Sequence, residues 1–79
     1  MENEGWVWVS TTGVAPVVCV YQYTRRGGTY TIVTYRYNDG RDWHDFVPGV
    51  ILITPRGKRY EGEEAVRREI AKRKLPPFF

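Results

Sequence analysis

Residues 17–37 read VVCVYQYTRRGGTYTIVTYRY and carry the strongest structural pattern in the chain. Two runs rich in Val, Thr and Tyr flank the segment Arg25-Arg26-Gly27-Gly28, which is typical of an antiparallel hairpin. Adjacent glycines supply the positive φ angles of a tight turn, so we expect a two-residue turn at Gly27 and Gly28. A four-residue turn is the alternative, and it leaves the two faces of the hairpin unchanged.

Alternation along the two strands divides their side chains between two faces of the predicted sheet. One face is mainly apolar and is the predicted core: Val18, Val20, Val33, Tyr35 and Tyr37. The other face combines tyrosines with arginines and is the predicted binding surface: Cys19, Tyr21, Tyr23, Arg25, Tyr30, Ile32, Thr34 and Arg36. An unpaired charge is costly to bury, so the arginines indicate that this second face meets solvent.

The rest of the chain predicts a single α+β domain over residues 1–79. We expect a flexible N-terminus at residues 1–4, antiparallel strands within residues 5–61, one helix at residues 62–75 and an apolar tail at residues 76–79. Strands besides the hairpin are expected at residues 5–11, 41–47, 50–54 and 58–60. The predicted fold is therefore a strongly bent antiparallel sheet, or an SH3-like small barrel, of five or six strands with one C-terminal helix.

The C-terminal helix is predicted from its charges and its apolar spacing. Glu61 or Gly62 is the expected N-cap, acidic residues follow in the first turn, and Lys72, Arg73 and Lys74 lie in the last turn. Three pairs have the favourable i,i+4 orientation: Glu63–Arg67, Glu64–Arg68 and Glu69–Arg73. The predicted apolar stripe consists of Val66, Ile70, Ala71 and Leu75.

Charge is unevenly distributed along the chain, whose net charge is +3. Residues 1–55 contain four basic and five acidic side chains, whereas residues 56–79 contain eight basic and four acidic ones. A basic C-terminal segment on a small β-rich domain favours a polyanionic partner such as nucleic acid. A solvated helix face that keeps the protein soluble is the alternative. The two Asn and one Gln beside many Arg are typical of a thermophilic source.

Composition also bears on location and on metal binding. Cys19 is the only cysteine and His44 the only histidine, so neither an internal disulfide nor a zinc site is expected. The longest strongly apolar run, residues 50–53, is far below the roughly 20 residues of a membrane span. The acidic start does not resemble a signal peptide. We therefore expect an intracellular protein, cytoplasmic or nucleoid-associated, with no membrane contact.

The segment DWHDF is the main candidate for catalysis. Asp42, His44 and Asp45 lie close in sequence, but neighbouring residues of a strand point to opposite faces, so Asp45 is badly placed to orient His44. The aspartate spacing matches no calcium loop. No Ser or Cys side chain has an identifiable general base that would activate it as a nucleophile. We predict no catalytic residue, no metal and no cofactor, and hence a protein that is not an enzyme.

Residues 5–54 resemble the layout of Tudor-type and other SH3-like modules. The matching pieces are WVWVS, the long hairpin, NDGRDWHDF and VILI. Tudor-type modules hold methylated lysine in an aromatic cage, so the resemblance implies a candidate cage of Trp6, Trp8 and Trp43. The alternative is that these tryptophans fill the core.

Residues 50–71 resemble the hairpin-plus-helix half of methyl-CpG-binding domains. Seven residues fall on that pattern: Val50, Leu52, Ile53, Pro55, Gly57, Lys58 and Tyr60. The base-reading positions differ, since Gly49, Ile51 and Glu61 stand where the family has Asp, Tyr and Arg. The resemblance thus implies a shared structural unit and not methyl-CpG recognition. AP2-type and integrase arm-type DNA-binding domains also back a three-stranded sheet with a helix.

The leading functional prediction is a small, non-enzymatic protein that binds nucleic acid, DNA ahead of RNA. The predicted contact residues are Tyr21, Tyr23, Arg25, Arg26, Tyr30, Arg36, Arg56, Lys58, Arg59, Lys72, Arg73 and Lys74. The alternative is an SH3- or Tudor-like protein-interaction module, including the small viral or phage inhibitors of a host protein. Phe78 and Phe79 favour this alternative, because an apolar tail requires a pocket on a protein partner or on a second copy in a homodimer.

Overall fold

The computed structural model describes residues 5–12, 17–36 and 49–79, which form one antiparallel sheet and one helix. The strands are β1 (Val7–Thr12), β2 (Val17–Arg25), β3 (Gly28–Arg36), β4 (Gly49–Ile53) and β5 (Arg59–Glu61), and the helix is α1 (Glu63–Arg73). Each strand pairs antiparallel with the next one along the chain. The predicted α+β class, with antiparallel strands followed by one C-terminal helix, is confirmed. The strand expected at residues 41–47 lies outside the described residues.

The sheet is open rather than closed. Its order is β1-β2-β3-β4-β5, and within the described ranges no pairing joins the two edge strands, β1 and β5. A β-bulge between Trp8 and Ser10 interrupts the register of β1 against β2. The SH3-like barrel is therefore not confirmed.

The turn of the central hairpin has the predicted length of two residues, but it lies one residue earlier in the chain than expected. Arg25 lies opposite Gly28 and Tyr23 opposite Tyr30, so the two turn residues are Arg26 and Gly27. Gly28 opens β3 with a φ of 130°, a conformation that side chains rarely adopt. The expected turn at Gly27 and Gly28 is wrong by a register shift of two residues. Such a shift preserves parity, so the predicted division of side chains between two faces is confirmed.

The helix packs on the face that carries tyrosines and arginines, and we call this the helix face. Cross-strand partners point to the same side of a sheet, and the strand pairings place the following residues on the helix face: Cys19, Tyr21, Tyr23, Arg25, Tyr30, Ile32, Thr34, Val50, Leu52 and Tyr60. Ile32 and Leu52 are fully buried there, together with Val66 of the helix. The prediction that this face meets solvent is wrong.

The opposite side of the sheet is the open face, which the helix does not cover. It carries Val18, Val20, Val33, Tyr35, Ile51, Ile53, Arg59 and Glu61. Tyr35 is 39% exposed, and Val18, Val20 and Val33 are only partly buried, so the predicted core is wrong for these four residues. Tyr37 lies outside the described residues. The Tyr35 ring lies across Gly49, where a Cβ would collide with it, so the absence of a side chain on β4 lets the ring pack on the backbone.

The helix follows its sequence pattern closely. Gly62 is the N-cap, and Lys74 ends the helix in a left-handed conformation with a φ of 57°. The Nε of Arg67 donates to Glu63 at 2.8 Å and the Nε of Arg73 donates to Glu69 at 2.9 Å, as predicted. Val66, Ile70 and Leu75 are buried against the sheet, whereas Ala71 is exposed, so the predicted stripe is one residue too wide.

The C-terminal tail folds back onto the first two strands of its own chain. The indole Nε1 of Trp6 donates to the backbone oxygen of Pro76 at 2.8 Å. Phe78 meets Tyr21 and Trp6 edge-on, with ring centroids 5.0 and 6.1 Å apart. Trp6 also packs on Tyr23 at 5.7 Å. We call Trp6, Tyr21, Tyr23 and Phe78 the aromatic cluster, and it extends the core beyond the end of the helix.

Candidate nucleic-acid interface

Three separate parts of the chain meet at one end of the sheet. They are the β2–β3 turn, the β4–β5 turn and the last turn of the helix, and we call this region the basic end. A Cβ placed on Gly28 would lie 2.8 Å from the Cβ of Pro55, so the two turns are in direct contact. Seven exposed or half-buried cationic residues lie in or next to these three parts: Arg25, Arg26, Arg56, Lys58, Lys72, Arg73 and Lys74.

Arg25 joins the hairpin to the end of the helix. Its Nη2 donates to the backbone oxygen of Arg73 at 2.9 Å, and its Nη1 donates to that of Lys74 at 3.5 Å. The last carbonyls of a helix lack partners within the helix and carry a partial negative charge, so a cation suits this position. The guanidinium also lies 5.3 Å from the centre of the Tyr30 ring. These contacts explain how the helix face accommodates an arginine at its margin.

Arg73 is held in place by groups of the core. Its Nε donates to the buried carboxylate of Glu69, and its Nη2 donates to the hydroxyl of Tyr60 at 3.3 Å. The hydrogen bond to Glu69, followed by that to Tyr60, raises the pKa of Arg73. Because Glu69 neutralises its charge, Arg73 offers the site hydrogen-bond donors in a fixed position but little net positive charge.

A buried threonine organises the β4–β5 turn. The amide of Lys58 donates to Oγ1 of Thr54 at 3.1 Å, and the amide of Thr54 donates to the backbone oxygen of Lys58 at 2.9 Å. A third hydrogen bond, from the Gly57 amide to the Thr54 oxygen, closes the turn at 2.8 Å. This turn exposes the side chains of Arg56 and Lys58, neither of which forms an ion pair with another described residue.

A cavity of about 370 Å³ lies between the turns and the helix end. It is lined by Gly27, Tyr30, Thr54, Pro55, Arg56, Lys58 and Arg73. A hydrogen bond from Arg25 is the main cause that lowers the pKa of the Tyr30 hydroxyl, and Arg73 adds to it, whereas burial opposes it. The cavity thus combines cationic walls with a hydroxyl whose pKa is lowered, in a volume typical of small-ligand sites.

The structure brings together only part of the predicted contact set. Lys72 is exposed in the last helical turn and adds charge to the helix end. Arg36 ends β3 eight residues from Gly28, so its backbone lies about 27 Å from the basic end. Arg59 lies on the open face, where its Nη2 is 3.1 Å from the Glu61 carboxylate.

The three tyrosines of the predicted contact set do not have the exposed rings that stacking on bases requires. Tyr30 is buried in the core, and Tyr21 and Tyr23 are partly buried in the aromatic cluster. Base stacking on Tyr21 requires displacement of Phe78, which meets its ring at 5.0 Å. Sequence reasoning did not place Thr54 or Tyr60 at this site, and neither carries a distinctive local signal, because their roles arise from contacts with the turn and with the helix.

The tryptophans differ in their surroundings. Trp6 belongs to the aromatic cluster, whereas Trp8 is 58% exposed on β1 and donates its indole N–H to Oγ1 of Thr11 at 2.6 Å. Trp43 lies outside the described residues, so the complete predicted cage cannot be assembled from the described side chains.

The described part of the chain contains no group of three His, Cys, Asp or Glu side chains suited to a metal ion. Among residues 5–12, 17–36 and 49–79, no helix has the length and apolar character needed to cross a membrane. Comparison with protein-family models, curated proteins and solved structures finds no match for this chain.

Proposed function

We propose that this protein binds nucleic acid, DNA ahead of RNA, through the basic end, and performs no covalent chemistry. The observation that carries the proposal is the convergence of arginines and lysines from three distant parts of the chain around one cavity. Contacts to phosphates supply most of the affinity in non-specific nucleic-acid binding, and they require clustered cations rather than a particular fold.

Arg56 and Lys58 are the proposed primary phosphate ligands. Both side chains are exposed on a turn that three hydrogen bonds hold in shape, so little ordering accompanies binding. Arg26, Lys72 and Lys74 add exposed charge around them. Arg25 and Arg73 have a different role in the proposal, since their donors already engage the helix carbonyls, Glu69 and Tyr60 and so shape the cavity.

The proposal does not depend on base stacking. Tyr21 and Tyr23 lie beneath the tail, and any contribution they make requires the tail to move. We therefore expect binding that tolerates many base sequences and responds strongly to salt.

The test is fluorescence anisotropy with labelled duplex DNA, single-stranded DNA and RNA of matched length over a series of salt concentrations. On duplex DNA the logarithm of affinity should fall with the logarithm of salt by about 0.9 for each phosphate neutralised. The double substitution Arg56→Gln with Lys58→Gln should weaken binding and make this slope shallower.

The matched control is Arg67→Gln with Arg68→Gln, which removes the same formal charge at exposed helix positions that do not line the cavity. It should change affinity much less. Equal losses in both double variants would show a general charge effect with no defined site. An absence of binding to all three nucleic acids at low salt would contradict the proposal.

A protein-interaction module that binds methylated lysine, as Tudor-type modules do, is the second candidate. The exposed ring of Trp8 favours it, because an indole that meets solvent can attract a methylated ammonium group. Phe78 no longer supports it, since that ring packs on its own chain. Titration of trimethyl-lysine and unmodified peptides, followed by tryptophan fluorescence in wild type and Trp8→Ala, tests this function. Equal responses to the two peptides would exclude a cage.

A further inference from the structure

The two edges of the sheet differ in their protection against pairing with another strand. An edge strand presents unpaired backbone donors and acceptors, and proteins guard such edges with charged residues or keep them short. β5 has both protections, because it is three residues long and carries Arg59 and Glu61. β1 has six residues, VWVSTT, and none of them is charged. The two edges are therefore unequal, and since no further strand of the described residues pairs with β1, it is the less protected of the two.

The side chains of β1 are also unusually exposed for apolar residues. Val7 is 57% exposed, Trp8 58% and Val9 46%. The indole N–H of Trp8 is already satisfied by Thr11 within the same strand, so its exposed ring offers apolar surface with no polar group left to hydrate. The bulge lies between Trp8 and Ser10 and leaves three consecutive residues, Ser10 to Thr12, in regular register on its far side. Removal of these side chains from water would favour association.

We propose that β1 pairs antiparallel with β1 of a second copy of this chain about a two-fold axis, so that the five described strands of each copy join in one continuous sheet. A second copy of the chain suits this edge because β1 carries no charged residue. Two β1 strands can therefore pair without placing like charges opposite each other. The position of the basic end supports the same partner. Val7 pairs with Gln22 near that end, whereas Thr12 pairs with Val18 toward the other end. Antiparallel pairing of two β1 strands therefore places the two basic ends at opposite ends of the joined sheet.

This separation removes the main electrostatic obstacle to self-association of a basic protein. Opposite ends of a nine-residue strand such as β2 lie about 27 Å apart. The Debye length at physiological ionic strength is about 8 Å, so repulsion between the two basic ends is largely screened. The inference stands independently of nucleic-acid binding, because it rests on β1 and not on the cationic residues.

The first test is the mass in solution, measured by sedimentation equilibrium from low micromolar to near-millimolar protein. We expect a reversible transition from 9.3 kDa to twice that mass. Val9→Lys should weaken the dimer by about tenfold or more, because it brings like charges into one interface. The matched control Tyr35→Lys introduces the same charge at an exposed apolar position on the open face and should leave dimerisation unchanged.

The second test uses the wild-type chain alone, so it does not depend on how the variants fold. Amide hydrogen exchange of residues 7–12 should slow as protein concentration rises, while exchange in β5 should stay constant. A monomer at near-millimolar concentration would overturn the proposal. A dimer lost equally in Tyr35→Lys, or one without concentration-dependent protection in β1, would place the interface elsewhere and would also overturn it. Binding of other proteins at β1 without self-association would point to a different partner strand and count against the second copy.

Discussion

The guanidinium of Arg25 donates a hydrogen bond of 2.9 Å to the backbone oxygen of Arg73, across 48 positions of the chain. This bond ties the turn of the central hairpin to the end of the only helix in the described residues. It also places a cation against the negative end of the helix dipole. The fold and the basic end therefore depend on the same contact.

Arg25→Ala should destabilise the protein. Hydrogen bonds to charged groups contribute about 1.5–3 kcal/mol, and this substitution removes two of them together with the packing on Tyr30. Urea denaturation measures the change in the free energy of unfolding. Arg26→Ala, at the neighbouring exposed turn position, serves as the control and should change it by no more than about 0.5 kcal/mol. Similar losses in both variants would mean that the Arg25 contacts add little.

The stability losses of Tyr30→Ala and Tyr35→Ala should show which face of the sheet is buried. Tyr30 is buried, and truncation of a buried aromatic costs about 3–5 kcal/mol. Tyr35 is 39% exposed and its cross-strand contacts are worth about 0.2–1 kcal/mol each, so its loss should cost less. Thermal melts of both variants check the order. A larger loss of stability for Tyr35→Ala than for Tyr30→Ala would indicate that the face carrying Tyr35 is the buried one, as the sequence analysis predicts.

Tyr30 should ionise at a lower pH than an ordinary tyrosine. The hydrogen bond from Arg25 is the main cause that lowers its pKa below the usual 10.0. Between the native pKa and 10.0, the unfolded chain binds more protons at this group than the native state does, so its contribution to stability increases with pH. The contribution is complete above 10.0 and disappears as the pH falls through the native pKa.

Two measurements check this titration. Tyrosinate absorbance in wild type and Tyr30→Phe isolates the group, and Arg25→Met should move its pKa upward. The difference in free energy of unfolding between wild type and Tyr30→Phe should grow from neutral pH toward pH 10.0. A difference that shrinks over this interval would contradict the assigned direction.

Phe78→Ala should loosen the tail and weaken the fold. Phe78 forms edge-on contacts with Trp6 and Tyr21, and each aromatic pair contributes about 0.5–1.5 kcal/mol beyond burial. In a Trp8→Phe, Trp43→Phe background, which leaves Trp6 as the single tryptophan, its fluorescence should shift toward longer wavelength as its surroundings become wetter. Phe79→Ala is the control, since that ring is 49% exposed and meets Phe78 and the Arg67 guanidinium at the outer side of the tail, 5.4 and 4.4 Å from its centre. An unchanged Trp6 spectrum in Phe78→Ala would show that the tail does not shield this ring.

Local patterns predicted most of the secondary structure. The Val, Thr and Tyr runs around Gly27 and Gly28 predicted the hairpin, because β propensity and turn chemistry depend on neighbouring residues. The helix was predicted because caps and i,i+4 pairs, such as Glu69 with Arg73, are visible in a short window. The exact turn differed, since Arg26 with Gly27 and Gly27 with Gly28 are both compatible with the same strands.

The candidate site was predicted as a list of basic residues and tyrosines, without their spatial arrangement. Arg56 and Lys58 follow from composition and from the turn at Pro55. Their proximity to Arg73, and the separation of Arg36 from all of them, depend on strand order and on where the helix ends. Such long-range distances are not encoded in any local window.

Sequence alone determined which side chains share a face of the sheet, because strand periodicity of two is a local property of the backbone. Only the tertiary structure decided which face is buried. Val66, Ile70 and Leu75 pack on Ile32 and Leu52 rather than on Val33. Arginines beside tyrosines argued against this choice, since an unpaired buried charge is costly. The helix end removes that cost for Arg25 by offering it two carbonyl acceptors from residues 48 and 49 positions away, a pairing that exists only once the chain has folded.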